Sequence, residues 1–157
     1  MPEFIDPNAE LHLDPELLRV REESLVHSGS LEIVVPYTSD EMAAKVMLPA
    51  TTMTRGLDAT LKLVAVYVAP YPAELRCPAP MERHLTARLT DLASRTSLPA
   101  CIHIVVSRDR GEGFRQILRP GSAVLLGSRK RFWRTREEKL ARALTRQGHH
   151  VSLIHFD

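Results

Sequence analysis

The sequence contains few of the residues on which several classes of protein depend. It has two cysteines, Cys77 and Cys101, and their spacing matches no zinc motif, which argues against a disulfide-stapled fold or a cysteine metal site. Aromatic residues make up only 5%, sparse for a surface that stacks nucleic acid bases. No apolar run approaches the roughly 18 residues of a membrane span, and the N-terminus lacks the features of a secretory signal. We therefore expect a cytoplasmic protein without direct membrane insertion or nucleic acid binding.

An excess of charge of one sign is also missing, because the net charge is only +2, but the charges are unevenly distributed. Residues 1–27 carry seven acidic and two basic side chains, whereas residues 108–147 carry twelve basic and four acidic ones. A basic stretch of this kind can bind anions, or it can be a solvated surface on which the acidic leader folds back. We predict an acidic N-terminal arm with a short helix and linker over residues 1–30, followed by one domain over residues 31–157.

From residue 31 onward, short apolar runs alternate with amphipathic segments. The predicted strands cover 31–37, 61–69, 101–107, 123–126 and 151–156, and the predicted helices cover 39–55, 81–97, 111–119 and 135–147. Strands that are almost entirely apolar and alternate with helices indicate an α/β fold, a doubly wound five-stranded parallel sheet flanked by four helices.

Two helix starts carry a capping-box pattern. Thr38 with Glu41 predicts the start of the first helix, and Thr135 with Glu138 predicts the start of the last. Pro49 removes one backbone hydrogen bond within the first helix, so we expect a kink there.

In a sheet of this kind, ligands bind outside the carboxyl ends of the strands, where the strand order reverses. The segment Gly127–Arg136 follows the fourth predicted strand and places five cations within ten residues, just before a capped helix. That combination predicts an anion site, with a solvated basic loop as the alternative. The candidate nucleotide- or anion-binding residues at this edge are Pro36, Tyr37, Thr38, Val68, Gly127, Ser128, Arg129, Lys130, Arg131 and Thr135. No catalytic residue and no metal ligand is predicted.

Four segments, VVPYTSDE (34–41), LVAVYVAP (63–70), AVLLGSR (123–129) and VSLI (151–154), together resemble the universal stress protein family. The resemblance covers about residues 31–157 and implies the strand order 3-2-1-4-5. It also implies a stress-response domain that forms a homodimer through its last strand and regulates a protein partner or a transporter. The candidate residues of that dimer edge are Val151, Leu153, Ile154 and Phe156.

The chain departs from this family where the family binds ATP. Thr38 stands where nucleotide-binding members carry aspartate, and Lys130 stands where the second glycine of a G-x-x-G belongs after Gly127. Strict counting also places Leu140 and Ala141 at the family's phosphate-capping pair. Because a lysine side chain would intrude where glycine lets the backbone approach phosphate, the usual ATP cradle is not present as written. We expect a non-catalytic regulatory or interaction domain without a cofactor. The alternative is a sensor of ATP, AMP or another small anion that uses the basic loop, with slow phosphate hydrolysis as an option.

Overall fold

Strands and helices alternate through residues 31–130 and 135–157, the residues that this computed structural model describes. The strands are β1 (Leu31–Pro36), β2 (Ala59–Val68), β3 (Ala100–Ser107), β4 (Ala123–Arg129) and β5 (His150–Phe156). The helices are α1 (Asp40–Met53), α2 (Ala79–Ser94), α3 (Arg110–Ile117) and α4 (Arg136–Arg146). The strand order is β3-β2-β1-β4-β5 and every pair is parallel, so the predicted fold is confirmed. The predicted acidic arm lies outside the described residues.

The sheet separates two apolar cores. Helices α1 and α2 cover one face, where Leu89 packs in the same cluster as Leu63 of β2. Helices α3 and α4 cover the other, where Phe114 and Leu144 pack with Val64 of β2. Because successive strand residues point to opposite faces, a strand buried on both sides is largely apolar, although Lys62 of β2 and His103 of β3 are also buried. This explains the long apolar runs. Because α1 lies on one face of the sheet and α4 on the other, the chain leaves β1 and β4 toward opposite faces.

The two predicted helix caps have different outcomes. Thr135 is the N-cap of α4, and its Oγ1 accepts a hydrogen bond from the Glu138 backbone N–H at 3.2 Å, as predicted. The assignment of Thr38 to the first cap was wrong by one residue, because the Ser39 Oγ accepts from the Met42 N–H at 3.2 Å. Ser39 has the extended backbone (φ −158°, ψ 159°) that an N-cap requires. Pro49 lies inside α1, and the kink there stays a prediction.

Strand β4 continues three residues beyond its predicted end. Gly127 pairs with Ile154 and Arg129 with Phe156 of β5, so the Gly-Ser pair is part of the strand and not a turn. A Cβ on Gly127 would lie 2.7 Å from Val46 Cγ2 of α1, closer than such contacts occur. Glycine is therefore required here for the approach of α1 to the sheet, and the basic loop begins at Lys130.

None of the helices in the described parts of the chain has both the length and the apolar character that a membrane crossing demands.

Candidate functional site

The reversal of strand order lies between β1 and β4, which are hydrogen-bonded neighbours with their carboxyl ends at the same edge. Helix α1 follows β1 on one face and α4 follows β4 on the other. In folds of this kind the crevice at such a divergence is where ligands bind. Pro36 is buried, Tyr37 and Thr38 are half-buried, and Arg129 and Lys130 are exposed. Arg131 falls in 131–134, outside the described residues.

An ion pair bridges this crevice. Arg129, the last residue of β4, donates a hydrogen bond to the carboxylate of Glu41 in the first turn of α1. The ammonium of Lys45 lies 3.3 Å from the other carboxylate oxygen. The hydrogen bond from Arg129, and then that from Lys45, lowers the pKa of Glu41 below its usual value. Arg129, a predicted anion-binding residue, thus already has a carboxylate partner. That partner is Glu41, which the capping-box pattern had placed at the start of the first helix.

A second carboxylate of α1 is held in the same region. The Tyr37 hydroxyl donates to Asp40 Oδ1, and Arg88 Nε of α2 lies 3.5 Å from Asp40 Oδ2. Burial, followed by the hydrogen bond and the charge of Asp40, raises the pKa of Tyr37 to about 12, so its hydroxyl is a neutral donor at physiological pH. The carboxylates of Asp40 and Glu41 therefore both lie at the N-terminus of α1, which is the end of a helix that otherwise favours a bound anion.

The remaining predicted residues at the end of β4 each have contacts within the chain. Ser128 is fully buried, and its Oγ lies 2.7 Å from Oγ1 of Thr135, the N-cap of α4. The Lys130 N–H donates to the Phe156 carbonyl at 2.9 Å, and Lys130 Nζ lies 3.9 Å from Asp157 Oδ1. Gly127 is packed beneath α1. These residues are close together, but their polar groups already have partners within the chain.

Val68 lies apart from the crevice, in a second depression between α3 and α4. This groove has a volume of about 510 Å³, and four of its lining residues are basic. Sequence reasoning missed it because its lining comes from β2, the β3–α3 connection and the helices α3 and α4. The pair Arg108 and Arg110, directly after β3, was the available signal, since the carboxyl ends of parallel strands share one edge.

The four candidate dimer-edge residues are all half-buried, and they lie on two faces of β5. Ile154 and Phe156 pack against the core beneath α1. Val151 and Leu153 pack against the core beneath α4 and line an open groove of about 560 Å³ along that helix. Within the described residues, β5 pairs with β4 alone.

Both cysteines are buried, and the Cys101 thiol donates to the Leu61 carbonyl oxygen at 3.7 Å. Burial, and then the charge of Glu82, raises the pKa of the Cys77 thiol to about 11, which leaves little thiolate at neutral pH. In residues 31–130 and 135–157, no three His, Cys, Asp or Glu side chains converge as a metal site would require.

The resemblance to universal stress proteins finds no support outside the four segments that carry it. The structure establishes the α/β fold and its strand order, which many unrelated functions share. No protein-family model matches this chain, and no curated protein matches it.

Proposed function

We propose that this chain is a non-catalytic binding domain of the regulatory kind, similar to universal stress proteins but not binding ATP in their usual mode. The observation that carries the proposal is the Glu41–Arg129 ion pair across the crevice between β1 and β4. A triphosphate in that crevice would have to compete with Glu41 for Arg129 and would meet the Asp40 carboxylate beside it. Like charges at short range oppose such binding.

The backbone around β4 supports the same proposal. Phosphate cradles use glycines to bring backbone N–H groups close to the ligand. Gly127 instead allows close side-chain packing, because a Cβ on this residue would lie 2.7 Å from Val46 and 3.0 Å from Phe156. The backbone N–H of Lys130 donates to the Phe156 carbonyl, so this N–H is not available to bind a phosphate oxygen.

Ligand-dependent thermal stability tests the proposal directly, because a ligand that binds only the folded state raises its melting temperature. We expect ATP, ADP, AMP and cyclic AMP at millimolar concentration to cause no rise in the melting temperature of the full chain that depends on Arg129 and Lys130. A saturable rise with ATP that both Arg129→Gln and Lys130→Ala abolish would overturn the proposal. That result would establish the alternative of a nucleotide sensor that uses the basic residues after β4.

The variant Glu41→Gln gives the matched arm of this experiment. It frees Arg129 while keeping the shape of the side chain, so any ATP affinity that the ion pair suppresses should increase in this variant. Glu138→Gln, another first-turn glutamate, is the control because α4 does not take part in the bridge.

Homodimerisation through β5 belongs to the same proposal. Strand β5 has seven residues and, in the part of the chain that the structure describes, pairs on one side only. An edge strand of this kind tends to pair with another chain unless it is covered. We expect light scattering coupled to size exclusion to give twice the 17.7 kDa of the chain. Leu153→Glu should reduce that mass to the monomer, whereas Leu48→Glu on α1, where Leu48 is 74% exposed, should not. A monomeric parent chain, or a dimer that survives Leu153→Glu in a folded variant, would refute this arrangement.

A protein partner or a transporter as the regulated target, and a cytoplasmic location, rest on the sequence resemblance and composition alone. Crosslinking of the full chain in cells, followed by mass spectrometry, tests for the partner, and recovery of only the chain itself would count against one.

A further inference from the structure

The groove that contains Val68 lies between the first turns of α3 and α4, beside the carboxyl ends of β2 and β3. Its volume is about 510 Å³, within the range of roughly 300–1,000 Å³ of small-molecule sites. Val68, Leu140 and Ala143 contribute apolar surface. The basic lining residues are Arg108, Arg110, Arg136 and Lys139, and the acidic one is Asp109.

The acidic and basic side chains of this groove differ in whether they have partners. Asp109 caps α3, since its Oδ1 accepts from the Glu112 N–H at 3.0 Å. Arg108 donates to the carbonyl oxygens of Ala69 and Pro70 at 3.3 and 2.9 Å. Arg110, Arg136 and Lys139, in contrast, form no ion pair with any residue in the described part of the chain. Within residues 31–130 and 135–157, three cations therefore line one depression with no carboxylate at ion-pair distance.

This accumulation of positive charge is unfavourable without an anion. Arg110 is half-buried, and its burial, followed by the charge of Arg136, lowers the pKa of its guanidinium, with Glu137 acting in the opposite direction. A bound anion would restore the electrostatic interactions that burial removes from Arg110 and would relieve its repulsion by Arg136. The first N–H groups of α3 add positive partial charge at the same place.

We propose that this groove binds a small phosphorylated organic molecule, whose phosphate contacts Arg110, Arg136 and Lys139. Guanidinium groups bind phosphate oxygens in a bidentate manner. Because a phosphate carries a charge near −2, it balances several cations better than a carboxylate, which carries a single negative charge. The apolar surface of Val68, Leu140 and Ala143 suits the organic part of the ligand, which a free inorganic anion lacks. Arg108 is a positioning residue here, because its hydrogen bonds to Ala69 and Pro70 tie the loop after β2 to the rim of the groove.

This site is separate from the crevice between β1 and β4. The crevice proposal concerns Glu41 and Arg129, and neither residue lines the groove. Ligand binding lost with Arg129→Gln and Lys130→Ala refers to the crevice, whereas binding lost with Arg136→Gln and Lys139→Gln refers to the groove. Either proposal can therefore fail without the other.

The test is calorimetric titration of the full chain at low ionic strength with ribose 5-phosphate, inorganic phosphate and ribose. We expect binding of ribose 5-phosphate, weaker binding of inorganic phosphate and none of ribose. Removal of one charge-assisted contact should weaken the affinity by roughly tenfold or more, so Arg136→Gln and Lys139→Gln should each do so. Both residues are exposed, and neither substitution should alter the melting temperature much.

Arg142→Gln is the matched control. Arg142 is an exposed cation on the same helix, but it lines the other groove, along β5. Unchanged affinity in Arg142→Gln together with loss in Arg136→Gln supports the site. Equal loss in both variants would mean diffuse attraction to a basic surface and would overturn the proposal. So would the absence of binding by both phosphate-containing probes, or affinity that survives the double substitution of Arg136 and Lys139.

Discussion

Replacement of Gly127 by alanine distinguishes a packing role for this glycine from a role in ligand binding. A Cβ at this position would lie 2.7 Å from Val46 Cγ2, 3.0 Å from Phe156 Cε2 and 3.2 Å from the Met42 carbonyl oxygen. Contacts under 3.0 Å require one of the partners to move. Val46 is 1% exposed and β-branched in a helix, where its χ1 rotamer is nearly fixed, and the Met42 oxygen belongs to the backbone. The added methyl group therefore has to displace α1 from the sheet.

We expect Gly127→Ala to lower the free energy of unfolding by about 1–3 kcal/mol, the usual cost of overpacking a close-packed core. Val46→Ala alone should cost a similar amount, roughly 1–3 kcal/mol, because it removes two buried methyl groups. In the double variant the smaller side chain leaves room for the new Cβ. The combined loss should therefore fall short of the sum of the single losses by about 1 kcal/mol.

Urea unfolding followed by far-ultraviolet circular dichroism measures all three variants. Gly111→Ala is the control, because the one neighbour within 4 Å of its added Cβ is Asp109 Oδ1, at 3.3 Å. A Gly127→Ala variant as stable as the parent would refute the packing argument, and so would strict additivity with Val46→Ala. If that stable variant also changed nucleotide binding, Gly127 would have the role that the family resemblance implies.

Three further predictions follow from single contacts. Thr135→Ala should lower the free energy of unfolding by about 1 kcal/mol through loss of the α4 cap, and Thr135→Ser should restore most of it; equal losses in urea unfolding would contradict the cap. The pKa of Glu41 is lowered in the folded state, so its contribution is present above the usual value of 4.5 and is lost on acidification below it. The stability difference between the parent and Glu41→Gln should accordingly vanish at low pH, and a difference that persists or grows on acidification would refute the assignment. Cys77, with its pKa raised to about 11, should react with iodoacetamide far more slowly in the folded than in the urea-unfolded chain, as judged by mass spectrometry of its peptide; similar rates would contradict the burial.

The fold was predictable because each element is bounded by local signals that agree with tertiary packing. Strands buried on both faces are largely apolar, and Thr135 lies where α4 starts, so pattern and structure coincide. The prediction was wrong for β4, because a Gly-Ser pair is typical of turns. That signal is local. Glycine is required at position 127 by the close approach of α1, which lies about eighty residues earlier in the chain.

The candidate site was predictable only in its location. Strand order places the ends of β1 and β4 side by side, so Tyr37 and Arg129 belong to one crevice whatever their chemistry. Which charges have partners there depends on rotamers and distances that no pattern contains. Glu41, the partner of Arg129, is 88 positions away in the chain and also matches a capping box, so its bridging role had no sequence signal.

The two depressions at this edge of the sheet differ in how their charges are compensated, and this difference explains where a ligand is expected. In the crevice, Glu41 pairs with Arg129 and Lys45, and Asp40 contacts Arg88, so each carboxylate has a cation. In the groove, the one lining carboxylate accepts a helix N–H, and Arg110, Arg136 and Lys139 line the same depression, where the charge of Arg136 acts on Arg110. An anion entering the crevice has to break an existing pair before it gains a contact, whereas an anion entering the groove relieves a repulsion. The ligand preference of this domain should therefore follow the uncompensated charge and not the position where strand order reverses.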